Sequence, residues 1–382
     1  MSWFWPNVLE ARVGTHLWAE SYERELSDVL VLQRDLASSI ADEVEVKLTA
    51  TERARIASAR PVNPAAYQAY LRGRHFWNKR TKEDLEKAVR YFDEAIAKDL
   101  NYAPAYAGLA DSYLVMGAWD LNVLPPEEAF PKARDATVKA LALDDGLAEA
   151  HTSRAAIGDL YDWDRQTSEK EFKRAIELNP GYATAHQWYG LHLAQNARFE
   201  EAIAESLQAE KLDPLSLMIS ASLGHRLYLA HRYDEAIAQL QRTLEMDPNF
   251  FHADAYLGQA YEQKGMYAQA IQEFQKAIAE SGRNPIFVAA LGHAYALASQ
   301  RNEALKALDE LKHLARGHYV SAYNFAILNA GLGRYEQALA DLEQAGQEHS
   351  TLLVNLKVDP RLDALRTDPR FQDLLRHVGF PP

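Results

Sequence analysis

The sequence predicts an all-α fold for most of the chain, one helical hairpin repeated in tandem, with a small α/β piece in front. Three observations carry this. Steps of 34 from Gly190 land on Gly224, Gly258, Gly292 and Ala326. A second ladder of the same pitch runs through Ala202, Ala236, Ala270, Ala304 and Ala338. Within each period apolar residues fall at i, i+3, i+4 and i+7, then break, then resume as a second helical run.

In chain order, residues 1–60 stand apart from the repeat. Asn7–Ala11 and Thr15–Tyr22 read as strands joined by a turn at Arg12-Val13-Gly14. Ser27–Leu48 carries Val29, Leu32, Leu36, Ile40, Val44 and Leu48 at helical spacing, with Ser27 or Asp28 placed to cap it. A strand pair and one helix bury too little to hold a core alone. Residues 61–182 read as irregular units. Gly73 pairs with Ala88, Phe92 and Ala95 around an insertion at Lys79-Arg80-Thr81. Leu109, Ala110 and Tyr113 pair with Ala133 and Ala140 across Leu124-Pro125-Pro126, and a third unit runs from Ala150 and Ala155 to Phe172, Ala175 and Pro180.

Residues 183–348 are regular. Ser220, Leu223, Gly224 and Leu227 build a first helix, and Ala236, Leu240 and Thr243 a second. Asp247-Pro248 stops it, because proline donates no amide hydrogen and pushes its predecessor out of the α region. The next unit repeats this with Leu257, Gly258, Tyr261, Ala270, Phe274 and Ala277. The small residues mark close helix crossings, and Tyr261 and Phe274 fill the space beside them. Eight units can be drawn. Residues 349–382 read as helices capping the last unit's apolar flank.

This length, small-residue ladder, aromatic pattern and terminal proline together resemble the tetratricopeptide repeat. The resemblance implies a right-handed superhelical solenoid and a concave groove that binds protein segments. Gly14–Arg24 resembles the end of the TolB-like domain that precedes such arrays in bacterial CadC-like one-component regulators, and in some bacterial kinases and adenylate cyclases. The likeness continues through Ala103–Tyr113, Leu356–Arg361 and Asp368–Phe371. It makes residues 1–60 a partial TolB-like segment and the chain the sensory or scaffolding half of a regulator, separate from its effector.

Composition narrows the chemistry. A net charge of −13 argues against a nucleic-acid surface. The chain has no cysteine, which excludes disulfides, thiol catalysis and thiolate metal sites. No apolar run is long enough for a membrane span, and Met-Ser-Trp-Phe-Trp-Pro lacks the form of a secretion signal. The expected compartment is the cytoplasm, the alternative being the periplasmic part of a truncated membrane-anchored regulator. His186 and His192, like His225 and His231, stand six apart and so miss the helical metal spacing. Asp159, Asp162 and Asp164 lack the order of a calcium loop and read as a capped inter-helix turn. No phosphate loop, nucleophile elbow or dinucleotide fingerprint occurs, and no cofactor or metal is expected. Trp18, Trp77, Trp119, Trp163 and Trp188 either line an aromatic site or plug gaps left by longer connections.

The resemblance also places the groove. Its lining positions correspond to Thr184, Gln187 and Leu191; Met218, His225 and Tyr228; His252, Gln259 and Glu262; Ile286 and His293; and Tyr323 and Ile327. Earlier equivalents are Tyr67, Tyr70, Arg74 and Trp77, then Asp111 and Leu114. Chaperone-binding relatives hold a terminal carboxylate with Lys, Asn and Arg here. This chain has Gln187, Ala221 and Ala255, then Leu191, His225 and Gln259, so that clamp is missing. The sequence thus predicts a non-catalytic scaffold for a protein or peptide partner. The alternatives are an element that self-assembles into a homo-oligomer and an enzyme.

Overall fold

The computed structural model describes residues 7–9, 16–19, 63–118, 121, 123–317 and 319–380. Strands β1 (Asn7–Leu9) and β2 (His16–Ala19) pair antiparallel, with Val8 opposite Trp18. The turn read at Arg12-Val13-Gly14 and the helix read over Ser27–Leu48 lie outside the described residues.

From Pro64 the described chain is eight helical hairpins and a tail. The irregular hairpins are α1 (Pro64–Trp77) with α2 (Lys82–Lys98), α3 (Ala103–Gly117) with α4 (Pro126–Leu143), and α5 (Ala148–Ile157) with α6 (Arg165–Leu178). The next three are α7 (Ala183–Gln195) with α8 (Phe199–Leu212), α9 (Leu217–Leu229) with α10 (Tyr233–Met246), and α11 (Phe251–Gln263) with α12 (Tyr267–Glu280). The last two are α13 (Pro285–Leu297) with α14 (Arg301–Leu314), and α15 (Ala322–Gly331) with α16 (Tyr335–Gln347).

Local chemistry explains the punctuation. Asn63 and Thr81 accept from backbone amides of α1 and α2, so each helix begins on a capped end. Asp99, Asp144, Asn179 and Asp247 each end a second helix in a non-helical conformation and accept from the amide two residues on. That side-chain turn aims the chain into the next hairpin. Between the helices of a unit the chain turns through a left-handed residue at the same pitch, seen at Ala197, His231, Gly265, Ser299 and Gly333.

The hairpins cross closely. A Cβ on Gly224 would fall 2.5 Å from Leu240 Cγ, and one on Gly258 would fall 2.8 Å from Phe274 Cε1. Leu240 and Phe274 are fully buried, so neither has room to give.

One polar position also repeats, with different chemistry each time. His151 faces Glu171 at 2.7 Å and His186 faces Glu205 at 2.6 Å. Gln239 donates to Ser220 at 3.0 Å in the next unit. In the one after, Asp254 meets Glu273. Burial, the hydrogen bond to Glu273 and the charges of Glu280 and Glu273 push Asp254 up to about 7, with Lys276 opposing.

The tail follows the last hairpin and packs on it. It makes 3-10 turns at Thr351–Asn355 and Pro360–Leu365, then helix α17 (Pro369–His377). Asp359 and Asp368 each precede a proline and accept from the amide two residues on, so each restarts the chain in a new direction. Leu353, Leu356, Leu362 and Phe371 pack with α15 and α16. Val354 and Val358 instead join the core that includes Trp188 and Tyr228. Trp163 stacks on His349 at 4.8 Å, and the Arg165 guanidinium lies 3.6 Å over Phe380. Each large apolar side chain so buried contributes roughly 1.5–3 kcal/mol. The tail therefore bridges the last unit and the middle ones, closing the curl.

Two outcomes are expected. Gly258→Leu should cost about 1–3 kcal/mol or more by overpacking against Phe274, read as a lower denaturant midpoint; an unchanged midpoint contradicts the crossing. Asp254 stays protonated in the fold where the unfolded chain ionises, so wild-type stability falls as pH rises from about 4 to about 7. Asp254→Asn should melt several degrees above wild type near pH 8 and lose most of that lead near pH 5; parallel curves would refute the assignment.

Candidate functional site

Side chains from α7, α9, α11, α13 and α15 converge on one cavity of about 120 Å³, and the tail adds Leu352, Asn355 and Arg361. Of the groove positions read from sequence, Gln187, Leu191, Met218, His225, His252, Gln259, Ile286, Tyr323 and Ile327 line it. Thr184, Tyr228, Glu262 and His293 do not. Thr184 lies in the first turn of α7. The Tyr228 ring is turned against His225 and Tyr233. Glu262 and His293 lie 3.0 Å apart, both buried, so the two side chains face each other rather than the cavity. His225 and His293 share a register position, yet only His225 reaches the cavity.

The earlier equivalents form a second polar knot. Asp111 is buried, 3.0 Å from Arg74 and 2.7 Å from the Ser153 hydroxyl. Burial pushes Asp111 up to about 6 although Arg74 pulls it down. Tyr67 and Tyr70 stack, and Leu114 is in the core. The Arg74 and Arg80 guanidiniums lie 4.1 and 3.6 Å over Trp77.

The tryptophans serve separate contacts. Trp77 carries the two arginines, Trp163 holds the tail and Trp188 lines the cavity. Trp119 and the Trp18 side chain lie outside the described residues. The acidic cluster also divides. Asp164 caps α6, Asp162 pairs with Arg134 at 2.6 Å, and Asp159 is buried against His192 and Arg165 at 2.9 and 3.2 Å. Among the described residues no group of histidines and carboxylates is placed to hold a metal, and no helix is long and apolar enough to cross a membrane.

Sequence reasoning missed Arg80, Arg226, Arg361, Gln195 and Asn355 in the lining. Arg226 adjoins a groove position, Arg80 lies in the insertion, and Arg361 belongs to the tail motif, so each stood near a marked segment. Only the closure of the tail brings them together. Gln195 Nε2 donates to Asn355 Oδ1 at 3.3 Å, a contact between residues 160 apart in sequence.

The tail is pinned by one carboxylate. Arg361 donates Nε and Nη2 to the two Asp359 oxygens at 2.9 and 2.7 Å, and Tyr323 Oη donates at 2.9 Å. Burial alone would raise Asp359, but the Arg361 charge and these hydrogen bonds hold it below the usual carboxylate range. The same burial and the Asp359 charge raise Tyr323 well above a phenol's ordinary value.

The tetratricopeptide-repeat family model matches residues 153–216 and 222–285. The units within those residues match the tetratricopeptide repeat. A stretch of 145 residues is 28% identical to the transcriptional regulator HilA of Salmonella typhimurium, covering 38% of this chain and 26% of that protein. A putative adenylate cyclase 3 of Rhizobium meliloti is 32% identical over 103 residues, 27% of this chain and 18% of the cyclase. The chain thus spans about a quarter or less of the curated relatives it matches.

Among solved structures, PilW, a type IV pilus biogenesis factor, is 19% identical with a TM-score of 0.45, covering 56% of this chain and 94% of that one. Pseudomonas aeruginosa PilF is 19% identical with a TM-score of 0.41, covering 59% and 96%. YrrB, a TPR protein with an unusual peptide-binding site, is 21% identical with a TM-score of 0.34, covering 52% and 96%.

In the helical array, Asp359→Ala leaves the Arg361 guanidinium without its partner. Loss of about 3–5 kcal/mol is expected, with faster hydrogen exchange across residues 351–365. Unchanged exchange there would show that Asp359 does not hold the tail.

Proposed function

We propose that this chain is a non-catalytic protein-interaction scaffold whose concave face takes a segment of a partner, and that it serves as the sensory half of a bacterial signalling or transcriptional regulator. The observation that supports this most is the convergence of five successive first helices on one wall of aromatic, apolar and amide side chains. Such mixtures suit peptide recognition, where apolar contacts give affinity and amides give register. The net charge of −13 sets nucleic acid aside as the partner of this chain. The partial likeness to a transcriptional regulator and to an adenylate cyclase supports the regulatory setting.

The tail fills part of the wall, so partner binding there requires that residues near Asn355 and Arg361 give way. The change passed to an effector is then a shift between tail-docked and tail-released forms, driven by unequal affinity for the two.

The test is affinity capture on the tagged chain, comparing wild type with the triple variant Gln187→Ala, His225→Ala, Gln259→Ala. Partners that use the groove should be retained about tenfold less well. If the triple variant captures every partner as wild type does, the groove is not the recognition surface.

A further inference from the structure

We infer that the tail is the movable half of a clasp: it stays with the last unit and parts from the middle units, so that the curl opens while every hairpin remains folded. This deepens the scaffold reading, on which its use by a partner rests, by naming the surface along which the tail releases.

The cores divide along the tail. Leu353, Leu356, Leu362, Leu365, Phe371 and Phe380 share one buried cluster with residues of α15 and α16. Val354 and Val358 belong to another, with Trp188, Leu193 and Tyr228 of the middle units, and no residue of α15 or α16 is in it. A seam therefore runs through the tail. In a stacked array each unit packs on its neighbours. A contact between distant units, such as Gln195 with Asn355 at 3.3 Å, can break without disturbing any of those neighbour interfaces.

One side of the seam is left with unmade hydrogen bonds. Trp163 Nε1, Arg165 Nε and Nη2, Gln195 Oε1 and Tyr228 Oη are buried without a partner, and all four residues meet the tail. Trp163 stacks on His349, the Arg165 guanidinium lies over Phe380, Gln195 reaches Asn355, and Tyr228 shares the cluster of Val354 and Val358. Burial, and then the Asp359 charge, raise Tyr228 well above a phenol's ordinary value with Arg361 opposing, so it keeps its proton and an unmet donor. A buried donor or acceptor left unmade opposes the contact that buries it, because water satisfies it on opening.

On the other side the bonds are made. The Ser350 and Ser321 hydroxyls meet at 2.6 Å, and Tyr323 donates to Asp359 at 2.9 Å. Arg370 of α17 donates to both oxygens of Glu336 on α16 at 2.9 and 3.1 Å. Arg366 donates to the Lys357 and Asp359 carbonyls at 2.5 and 3.1 Å, which ties the two 3-10 turns together. The tail is one body with α15 and α16, and its seat on the middle units is the weaker face.

The chain has no cysteine, so a single introduced thiol reports opening at one place. The test is the rate at which dithionitrobenzoate labels the full chain carrying Val354→Cys or Leu353→Cys, neighbours buried on opposite sides of the seam. Labelling at position 354 should be about tenfold or more faster than at 353, because the clasp opens more readily than the last unit loses the tail. Adding Tyr228→Phe removes the unmet hydroxyl and keeps the ring. It should slow labelling at 354 about tenfold and leave 353 unchanged. Circular dichroism checks each fold, and Val358→Cys or Leu356→Cys replaces whichever thiol variant does not fold. Equal rates at the two positions, a faster rate at 353, or a rate at 354 that Tyr228→Phe leaves unchanged or raises overturns the clasp. The measurement contains no partner, so the clasp and groove recognition fail separately.

Discussion

A hairpin of two short helices cannot dry its own interior, so each unit of this chain depends on the next for its core. The crossing distance sets whether that core closes. It is fixed where Gly224 meets Leu240 and Gly258 meets Phe274, at separations that leave no room for a Cβ. The 34-residue pitch follows, because the same short approach must recur at the same place in each hairpin. An array built this way has one unavoidable defect, the unpaired face of its last unit. Here the tail covers that face with Leu362, Leu365 and Phe371 and then continues past it to the middle of the array.

The backbone frame repeats more strictly than its chemistry. One pair of positions holds His151 and Glu171, then His186 and Glu205, Ser220 and Gln239, and Asp254 and Glu273. A polar contact is always possible there because two helices always face each other at that depth. Its sign and strength are free to vary, from a hydrogen-bonded imidazole to two carboxylates sharing a proton. At His186, burial would depress the imidazole, but Glu205 and the Pro180 carbonyl hold it above its ordinary value. The frame thus tolerates opposite electrostatic solutions without moving.

What could be read from sequence is what the period controls. Gly190, Ala202 and their ladders mark contacts between neighbours in the chain, and local periodicity reports local contacts. The groove positions were legible in the same way wherever the first helix faces inward, as at Gln187, His225 and Gln259. Tyr228, Glu262 and His293 share those registers but turn aside, because a ring or a polar side chain finds a nearer partner than the cavity. The tail's reach was not legible. Gln195 meets Asn355, and Trp163 meets His349, only after the accumulated rotation of five hairpins, and no spacing in the sequence encodes that sum.

The tail joins the cavity to the last unit through a single carboxylate. Arg361 lines the cavity, and Asp359 ties it to Tyr323 on the last unit. In the proposed scaffold, a partner segment laid along the groove requires the tail there to give way, so its binding draws on the difference between tail-docked and tail-released forms. That shift is bounded by the stability of the docked tail, since no partner can move the equilibrium by more than its own difference in affinity between the forms. A carboxylate that satisfies a guanidinium and a phenol at once, deep enough to exclude water, gives that equilibrium two distinct ends rather than a continuum.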